Sequence, residues 1–402
     1  MRKLRSIFCL ACLMVLALLA LQAKRVLPQD NSGLVAEKYA GWSGVLRLWT
    51  FDGWQSGGSI AGWLNRSIAG FERQHPGVYV QPQAVDAGAI ASLGESGISP
   101  PDMLLFPPGL LDGADGLLPL VGAPELRPEL ARSGTVDGVL RAAPVVMGGY
   151  MWAWNTALIE AIPGSWRKID AMPAVPMDDA WHCWSAALLA LCAGQRSEAG
   201  PETGSGGADI DLGLAGEAAT PAPTSAPNPK SAALCELPEG FAPDPDAWRR
   251  FINGEAAAVA VTQREICRLQ ALSDQGRGPD WRLDAGGAAF SDQLLFLAVV
   301  DKPDAQRTLC QAFVGHLLSD ACQGELHRAG AFSVTGAESG YPAGDPLAQM
   351  DAALRSEGLC APGAFGSGWR EAAAIAARRY IDGKGEAPRL WQDLAGRLRS
   401  GL

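Results

Sequence analysis

An alternation of strand and helix patterns in the first quarter of the chain constrains the fold more than any other feature. Residues 45–50 alternate weakly between apolar and polar side chains, which predicts a strand. Residues 60–71 place their apolar side chains at helical spacing, and a second strand begins at 78–80 after a His-Pro-Gly turn. Residues 102–106 form a short apolar run bounded by prolines, typical of a buried parallel strand. This order predicts a βαβ unit with a right-handed crossover, and hence an α/β fold.

The N-terminus has the pattern of an export signal. Three basic residues precede an unbroken apolar run of 15 residues at 7–21. As a helix this run would be about 22 Å long, shorter than the roughly 30 Å hydrocarbon core of a bilayer. Residues 1–23 are therefore predicted to be a signal peptide cleaved after Ala23, or an uncleaved anchor, because two further basic residues make a poor start for a mature chain. Residues 24–43 are predicted to be a tether, with the protein exported to the extracellular face of the membrane or the periplasm.

One internal segment is expected to lie outside the folded core. Residues 194–230 are rich in Gly, Ala, Pro, Ser and Thr and show no periodicity. Such a composition cannot bury enough apolar surface to fold, and it predicts a disordered insertion within a domain.

The charge balance and the cysteine pattern exclude several classes of protein. The chain carries 33 Lys and Arg against 43 Asp and Glu and has no basic stripe for a phosphate backbone, so no nucleic-acid partner is expected. Of its nine cysteines, two lie in the leader and the rest are widely spaced without a CxxC pair. Buried free thiols are therefore expected instead of a zinc site or a disulfide framework. The sequence also lacks a Gly-x-Ser-x-Gly elbow, a Walker A loop and an HExxH pair, so we expect no enzyme activity, no cofactor and no metal.

Seven motifs follow one another along residues 45–400, with the insertion left out. In chain order they are LRLWTFDGWQ, FERQHPGVYVQ, PPDMLLF, AAPVVMGGYMWAWNTALIE, FINGEAAAVAVT, AQRTLCQAFVGHLLSDACQGELHRAGAFSVTG and RRYIDGKGEAPRLWQDLAGRL. Each motif is weak by itself, but their order is specific. It resembles the extracellular solute-binding proteins of ABC transporters, in the maltose-binding-like, sugar-binding family 1.

The resemblance implies an α/β fold with two lobes and a hinge, the periplasmic-binding-protein fold, preceded here by the N-terminal signal or anchor helix. Because the chain of such proteins crosses between the lobes more than once, neither lobe is contiguous. We expect lobe I to comprise 44–147 plus 285–335, and lobe II to comprise 148–284 plus 336–402.

The resemblance also implies a function. The chain would bind a small-molecule solute, a carbohydrate or a similar polar compound, and deliver it as a monomer to the transmembrane permease subunits of an ABC importer. The N-terminal segment would hold it at the membrane. The alternative is a cell-surface sensor or interaction protein that keeps this fold without transport.

Ten residues are candidates for contacting the ligand. Sugar sites combine aromatic faces with a few polar groups, and in an open α/β sheet such groups lie at the carboxyl ends of strands. Placed by the resemblance, the candidates are Asp52, Trp54, Gln55, Phe106, Tyr150, Trp152, Trp181, Gln263, Arg264 and Phe332.

Candidates that follow lobe I strands have structural alternatives. Asp52, Trp54 and Gln55 follow the first strand, where a capped loop with a packed Trp54 is the other interpretation. Phe106 follows the Pro-Asp strand, at a position where the family often has a stacking aromatic, and a core phenylalanine is equally compatible. Phe332 lies in the return through the hinge.

Candidates in lobe II have similar alternatives. Tyr150 and Trp152 share one face of an alternating segment with Trp154, and that face meets either the cleft or the core. Trp181 lies three residues before Trp184, on the same face of an expected helix, where core packing competes with ligand contact.

Gln263 and Arg264 follow an alanine-rich strand, where such residues face the cleft in similar proteins. A surface ion pair formed with Glu265 is the other interpretation. The sequence also departs from the family, with Gly148 and Gly149 where a polar cleft residue often stands, and with no acidic residue directly after Phe106. A cleft less polar than a typical sugar site follows from these departures.

Overall fold

The computed structural model describes residues 42–51, 53, 58–86, 88–91, 100–122, 124–159, 171–193, 237–283, 290–338, 340–355 and 359–400. The predicted leader, nearly all of the tether and the whole 194–230 insertion lie outside these residues, as do Asp52, Trp54 and Gln55. Within the described part of the chain, no helix combines the length and the apolar character needed to span a membrane.

Lobe I is built on a mixed five-stranded sheet with the order β2-β1-β3-β11-β6. Strand β1 pairs in parallel with both β2 and β3, whereas β11 runs antiparallel to β3 and β6. The five strands are β1 (Gly44–Phe51), β2 (Val78–Val85), β3 (Met103–Phe106), β6 (Ala142–Met147) and β11 (Leu294–Val299). A two-stranded hairpin of β4 (Thr135–Val136) and β5 (Val139–Leu140) precedes β6.

Lobe II is built on a four-stranded sheet with the order β10-β7-β9-β8. Strand β7 is antiparallel to both of its neighbours, and β8 is parallel to β9. The strands are β7 (Tyr150–Asn155), β8 (Pro173–Ala174), β9 (Ala258–Thr262) and β10 (Trp281–Leu283).

The described helices cover both sheets. In chain order they are α1 (Ile60–Gln74), α2 (Gly88–Ala91), α3 (Pro128–Ser133), α4 (Trp184–Ala193), α5 (Ala247–Ile252), α6 (Gln263–Asp274), α7 (Asp304–Leu317), α8 (Asp320–Gly324), α9 (Pro346–Leu354), α10 (Gly368–Ile381) and α11 (Ala387–Ser400). A 3-10 helix (Glu325–Ala329) follows α8.

The βαβ unit predicted from the sequence is present. Ser59 caps the N-terminus of helix α1, because its hydroxyl accepts from the Gly62 N–H at 2.9 Å. His75 is the C-terminal cap, and Gly77 follows it with φ +87°. Its buried residues are spaced three and four apart, so one apolar stripe packs on the sheet of lobe I. The parallel pairing of β1 with β2 and β3 confirms the predicted α/β class.

Strand β7 is buried on both faces and separates two apolar clusters. Tyr150, Trp152 and Trp154 pack in one cluster with α4, α10 and α11, as their predicted shared face requires. Met151 and Ala153 belong to a second cluster that extends into lobe I. Helix α4 is apolar on all sides and buried along nearly its whole length, which is the pattern of a core helix.

Candidate functional site

Two glycines mark the point where the chain passes from lobe I to lobe II. The Gly148 N–H donates to the Gln293 carbonyl at 2.7 Å, and the Gly148 carbonyl accepts from the Ser291 hydroxyl at 2.8 Å. The Gly149 N–H donates to Gln263 Oε1 at 3.1 Å, and its carbonyl accepts from Gln293 Nε2 at 3.0 Å. All four main-chain polar groups of the glycine pair are therefore held, three by residues 291–293 and one by the residue after β9.

The absence of side chains at this point lets the two glutamines approach the backbone. A Cβ at Gly148 would stand 2.5 Å from Gln263 Nε2 and 2.5 Å from Gln293 Oε1, and a Cβ at Gly149 would stand 2.5 Å from the side chain of Leu354. Gln263 Nε2 also donates to Gln293 Oε1 at 2.7 Å, and both side chains are fully buried. The crossing is thus a buried amide cluster whose polar atoms bond to one another, as burial requires.

A third segment joins the same point. The main chain of Phe332 exchanges two hydrogen bonds with Met147, at 2.8 and 3.2 Å. On either side of the glycines, Leu294 pairs with Met147 in lobe I and Tyr150 pairs with Thr262 in lobe II. Distant chain segments therefore meet at the junction between the two sheets.

A buried carboxylate lies at the second crossing, residues 291–293, where the chain returns from lobe II to lobe I, and it bonds to lobe II. Asp292 accepts from the Tyr150 hydroxyl at 2.6 Å and from the Cys183 N–H at 2.8 Å, and Arg370 stands 3.6 Å away. Burial raises the pKa of Asp292, although the charge of Arg370 and the Tyr150 hydroxyl act in the opposite direction. Burial and the nearby carboxylate likewise raise the pKa of Tyr150 far above its usual value. Tyr150 therefore remains a hydrogen-bond donor at ordinary pH.

The N-terminal ends of two lobe II helices meet beside this carboxylate. Ahead of α4, Asp179 accepts from the N–H groups of Trp181 and His182 at 2.8 Å each, and its carboxylate also contacts the His182 ring. Arg370, in the first turn of α10, donates to the Asp179 carbonyl at 3.0 Å. Helix α6 starts at the crossing itself, where Thr262 and Glu265 form a capping box.

The loop after β3 reaches across to lobe II through its main chain. The Gly109 N–H donates to the Ala364 carbonyl at 3.0 Å, and the Gly366 N–H donates to the Leu111 carbonyl at 2.8 Å. Gly109 has φ +73°, and a Cβ there would stand 3.0 Å from the Gly366 carbonyl, so the contact favours glycine. The carboxyl end of a parallel strand is the expected place for ligand contact in such a sheet, and here it faces the start of α10.

A cavity of about 520 Å³ opens between the lobes beside this contact. From lobe I it is lined by α3 and the β4–β5 hairpin, including Arg132, Ser133 and Asp137. From lobe II it is lined by the chain from Leu359 to Phe365 and by the C-terminal end of α11 with Arg399. Its size lies within the range of about 300–1,000 Å³ typical of small-molecule sites. Among the described residues, no three His, Cys, Asp or Glu side chains converge as metal ligands.

Of the ten predicted contact residues, seven are described, and five of these are buried. Phe106 packs its ring against Phe296 and Phe365, with centroids 6.0 and 6.3 Å apart. Phe332 packs against Tyr341, while Tyr150 and Gln263 are engaged at the crossing as described above. In this conformation Phe106, Tyr150, Trp152, Gln263 and Phe332 present almost no surface to solvent.

Trp181 and Arg264 are the two partly exposed candidates. Helix α4 begins at Trp184, so Trp181 precedes the helix and does not share a helical face with it, contrary to the sequence expectation. The Asp179 carboxylate explains the difference because it holds the Trp181 N–H in a turn ahead of the helix. Arg264 lies in the first turn of α6, beside the capping box.

Four residues of the junction were missed by the sequence reasoning: Ser291, Asp292, Gln293 and Arg370. A polar tripeptide directly before the apolar strand Leu294–Val299 was the available signal for the first three. Arg370 had none, because its partner carboxylate is 78 residues away in the chain and faces it only in the folded lobe.

The fold matches several solved structures of sugar-binding proteins. One is the GacH receptor of Streptomyces glaucescens, solved unliganded and in complex with acarbose, at 16% identity and TM-score 0.53 over 90% of this chain and 99% of that one. Another is a family 1 extracellular solute-binding protein from Bifidobacterium longum subsp. infantis, at 12% identity and TM-score 0.56 over 90% and 100% of the two chains. A third is the cyclic alpha-maltosyl-1,6-maltose binding protein of Arthrobacter globiformis, at 11% identity and TM-score 0.55 over 90% and 99%.

These likenesses all lie far below 25% identity, and they show the fold. The chain has the two-lobed, maltose-binding-protein-like α/β architecture found in solute-binding proteins of ABC transporters, which confirms the fold predicted from the order of the sequence motifs. No protein-family model and no curated protein matches the sequence.

Proposed function

We propose that this protein is an extracytoplasmic solute-binding protein that takes up a carbohydrate or a similar polar solute between its lobes and delivers it to an ABC importer. The observation that carries the proposal is the architecture itself: two α/β lobes, each built on its own sheet, joined at a junction where distant chain segments meet. The structural neighbours, which are sugar-binding proteins, support a carbohydrate as the ligand class.

The proposed mechanism is closure about the glycine crossing. A solute that touches both lobes stabilises the closed form, and it shifts the open–closed equilibrium by its difference in affinity for the two forms. A micromolar solute supplies about 8 kcal/mol of binding free energy, part of which offsets the cost of closure. The closed form would then dock on the permease.

We propose two positions for the solute. The first lies between the loop after β3 and the N-terminal ends of α4, α6 and α10, where Trp181 and Arg264 remain partly exposed. The second is the cavity of about 520 Å³, where Arg132 and Arg399 stand on opposite lobes and hydroxyl groups are available. We favour the first, because it lies at the carboxyl ends of parallel strands.

A thermal-shift assay of the protein against sugars, oligosaccharides, polyols and peptides tests the proposal. A solute at one hundred times its dissociation constant adds about 2.7 kcal/mol to the free energy of unfolding. We expect a carbohydrate to raise the melting temperature of the wild type. A cooperative melt that no member of the panel shifts would contradict the proposal.

Matched variants distinguish the two proposed positions of the solute. We expect Trp54→Ala and Arg264→Ala to abolish the shift and Arg132→Ala to leave it intact, whereas the reverse result would place the solute in the cavity.

Delivery is tested separately, by comparing uptake of the same solute between cells that produce this protein and cells from which it has been deleted. Tight binding of the solute with unchanged uptake would mean that the protein binds the solute but does not deliver it to an importer.

A further inference from the structure

A cysteine–histidine pair lies on lobe I, away from the crossing. Cys322 of α8 places its Sγ 3.5 Å from Nε2 of His316, which stands in the last turn of α7. Neither residue belongs to the junction between the lobes or to the cavity described above. The pair therefore needs an explanation of its own.

Hydrogen-bond geometry fixes the role of each partner. His316 Nε2 lies 2.9 Å from the main-chain carbonyl of Ser67, and a carbonyl oxygen only accepts. Nε2 must therefore carry the hydrogen, so the imidazole offers an N–H to both the carbonyl and Sγ. Sγ is then the acceptor, an arrangement that favours the thiolate over the thiol.

Neighbouring helix α1 leaves room for this contact. A Cβ at Gly70 would stand only 3.2 Å from His316 Nε2, so the glycine lets the ring lie close to the helix. The His316 ring also packs near Phe71, at 5.7 Å between centroids, and the indole N–H of Trp63 donates to the Cys322 carbonyl at 2.9 Å. The imidazole and the thiol are thus held in position by α1.

The direction of each pKa shift agrees with the geometry. Partial burial raises the pKa of Cys322, but the hydrogen bond and charge of His316, together with hydrogen bonds from Ser319 and Ser67, outweigh it and lower the pKa. The bond to Cys322 in turn raises the pKa of His316. Burial instead raises the pKa of Cys183, Cys267, Cys310 and Cys360.

Exposure to solvent singles out two of the described cysteines. Cys322 is 8% exposed and Cys267 is partly exposed, whereas the other four are at most 2% exposed. Cys267 therefore serves as the matched control. It is the more accessible thiol, and no described histidine hydrogen-bonds to its Sγ as His316 does to that of Cys322.

From this arrangement we infer that Cys322 is a reactive thiolate and a site of covalent modification by small aliphatic disulfides. In the exchange the Cys322 thiolate attacks one sulfur of the disulfide, a new S–S bond forms, and the second sulfur leaves as a thiolate that takes a proton from solvent. His316 donates its hydrogen bond to the attacking sulfur before the exchange and acts as a positioning residue.

Reaction of the reduced, full-length chain with 2-hydroxyethyl disulfide from pH 5.5 to 9 tests this assignment, with peptide mass mapping of each adduct. Each unit by which the pKa falls raises the thiolate fraction about tenfold and lowers intrinsic nucleophilicity, for a net gain of about threefold below the pKa. We expect Cys322 to react faster than Cys267 at pH 7, with its pH midpoint at lower pH.

Three variants make the test decisive. Cys322→Ser should abolish the fast adduct, Cys267→Ser should leave it, and His316→Gln should slow it and move the midpoint to higher pH. Faster reaction at Cys267 in the wild type would overturn the assignment, and so would a pH profile that His316→Gln leaves unchanged. Should His316→Gln fail to fold, the wild-type comparison of the two thiols decides by itself.

Discussion

The Tyr150 hydroxyl and the Asp292 carboxylate, 142 residues apart in sequence, meet at 2.6 Å within the junction between the lobes. One stands on the first strand of lobe II and the other in the segment that returns the chain to lobe I. Both are fully buried, so their bond is made in a low-dielectric environment where an unpaired partner is costly. Together with the two glutamines, this pair connects the crossing to distant parts of the chain through buried hydrogen bonds.

Removing the Tyr150 hydroxyl should destabilise the protein. In Tyr150→Phe the buried Asp292 loses a donor while the ring packing is kept, and we expect a loss of about 1–3 kcal/mol in the free energy of unfolding. Urea denaturation measures it. Tyr79→Phe is the control, since Tyr79 is 58% exposed and its change should be close to zero. Equal midpoints for the two variants would contradict the role given to the pair.

Adding a single methyl group at the crossing should be disruptive. A Cβ in Gly148→Ala would stand 2.5 Å from atoms of both glutamines, and we expect a loss of about 1–3 kcal/mol as the amide cluster is forced apart. Gly315→Ala is the matched control, because nothing lies within 4 Å of its Cβ and it stands inside α7. That helical position should gain up to about 1 kcal/mol. Chemical denaturation of both variants should show opposite signs.

The two buried glutamines should be energetically coupled. Gln263→Leu leaves the Gly149 N–H and Gln293 Oε1 without their partners. Gln293→Leu leaves the Gly149 carbonyl and Gln263 Nε2 without theirs. We expect a double-mutant cycle to give a coupling free energy of about 0.5–3 kcal/mol. Additive losses within about 0.3 kcal/mol would mean that the two side chains act independently.

Acid stability should depend on Asp179. Burial raises the pKa of this carboxyl, but the His182 ring and the N–H groups of Trp181 and His182 outweigh it and lower the pKa to about 2. Since the unfolded state then binds more protons than the folded state between roughly pH 2 and 4, stability rises with pH across that window. The contribution is complete above about pH 4 and lost as the pH falls through about 2.

Unfolding midpoints measured from pH 5 down to 2 check this sign. We expect Asp179→Asn to lose stability less steeply than the wild type on acidification. Asp393→Asn, at an exposed position of α11, should keep the wild-type slope. A steeper acid dependence in Asp179→Asn would show that the pKa shift has the opposite sign.

Several of the elements, and the α/β class, could be predicted from local pattern. Helix α1 spans Ile60–Gln74 where apolar spacing predicts a helix at 60–71, and β3 is the buried strand expected beside its prolines. The shared face of Tyr150, Trp152 and Trp154 also follows from alternation alone. Such features depend on neighbours two to four residues away, which the sequence displays directly.

The use made of each side chain was decided by tertiary structure. Alternation cannot tell a core face from a cleft face, and in the folded protein both faces of β7 are covered, so its aromatic side chains pack inside lobe II. The sequence alone predicts that the glycines of the crossing make the cleft less polar. In the fold they instead admit Gln263 and Gln293 to the backbone, because a glycine leaves the space that a Cβ would fill. Partners such as Asp292 and Arg370 come together only when distant segments of the chain pack at the junction, and no local pattern in the sequence indicates that they will be neighbours.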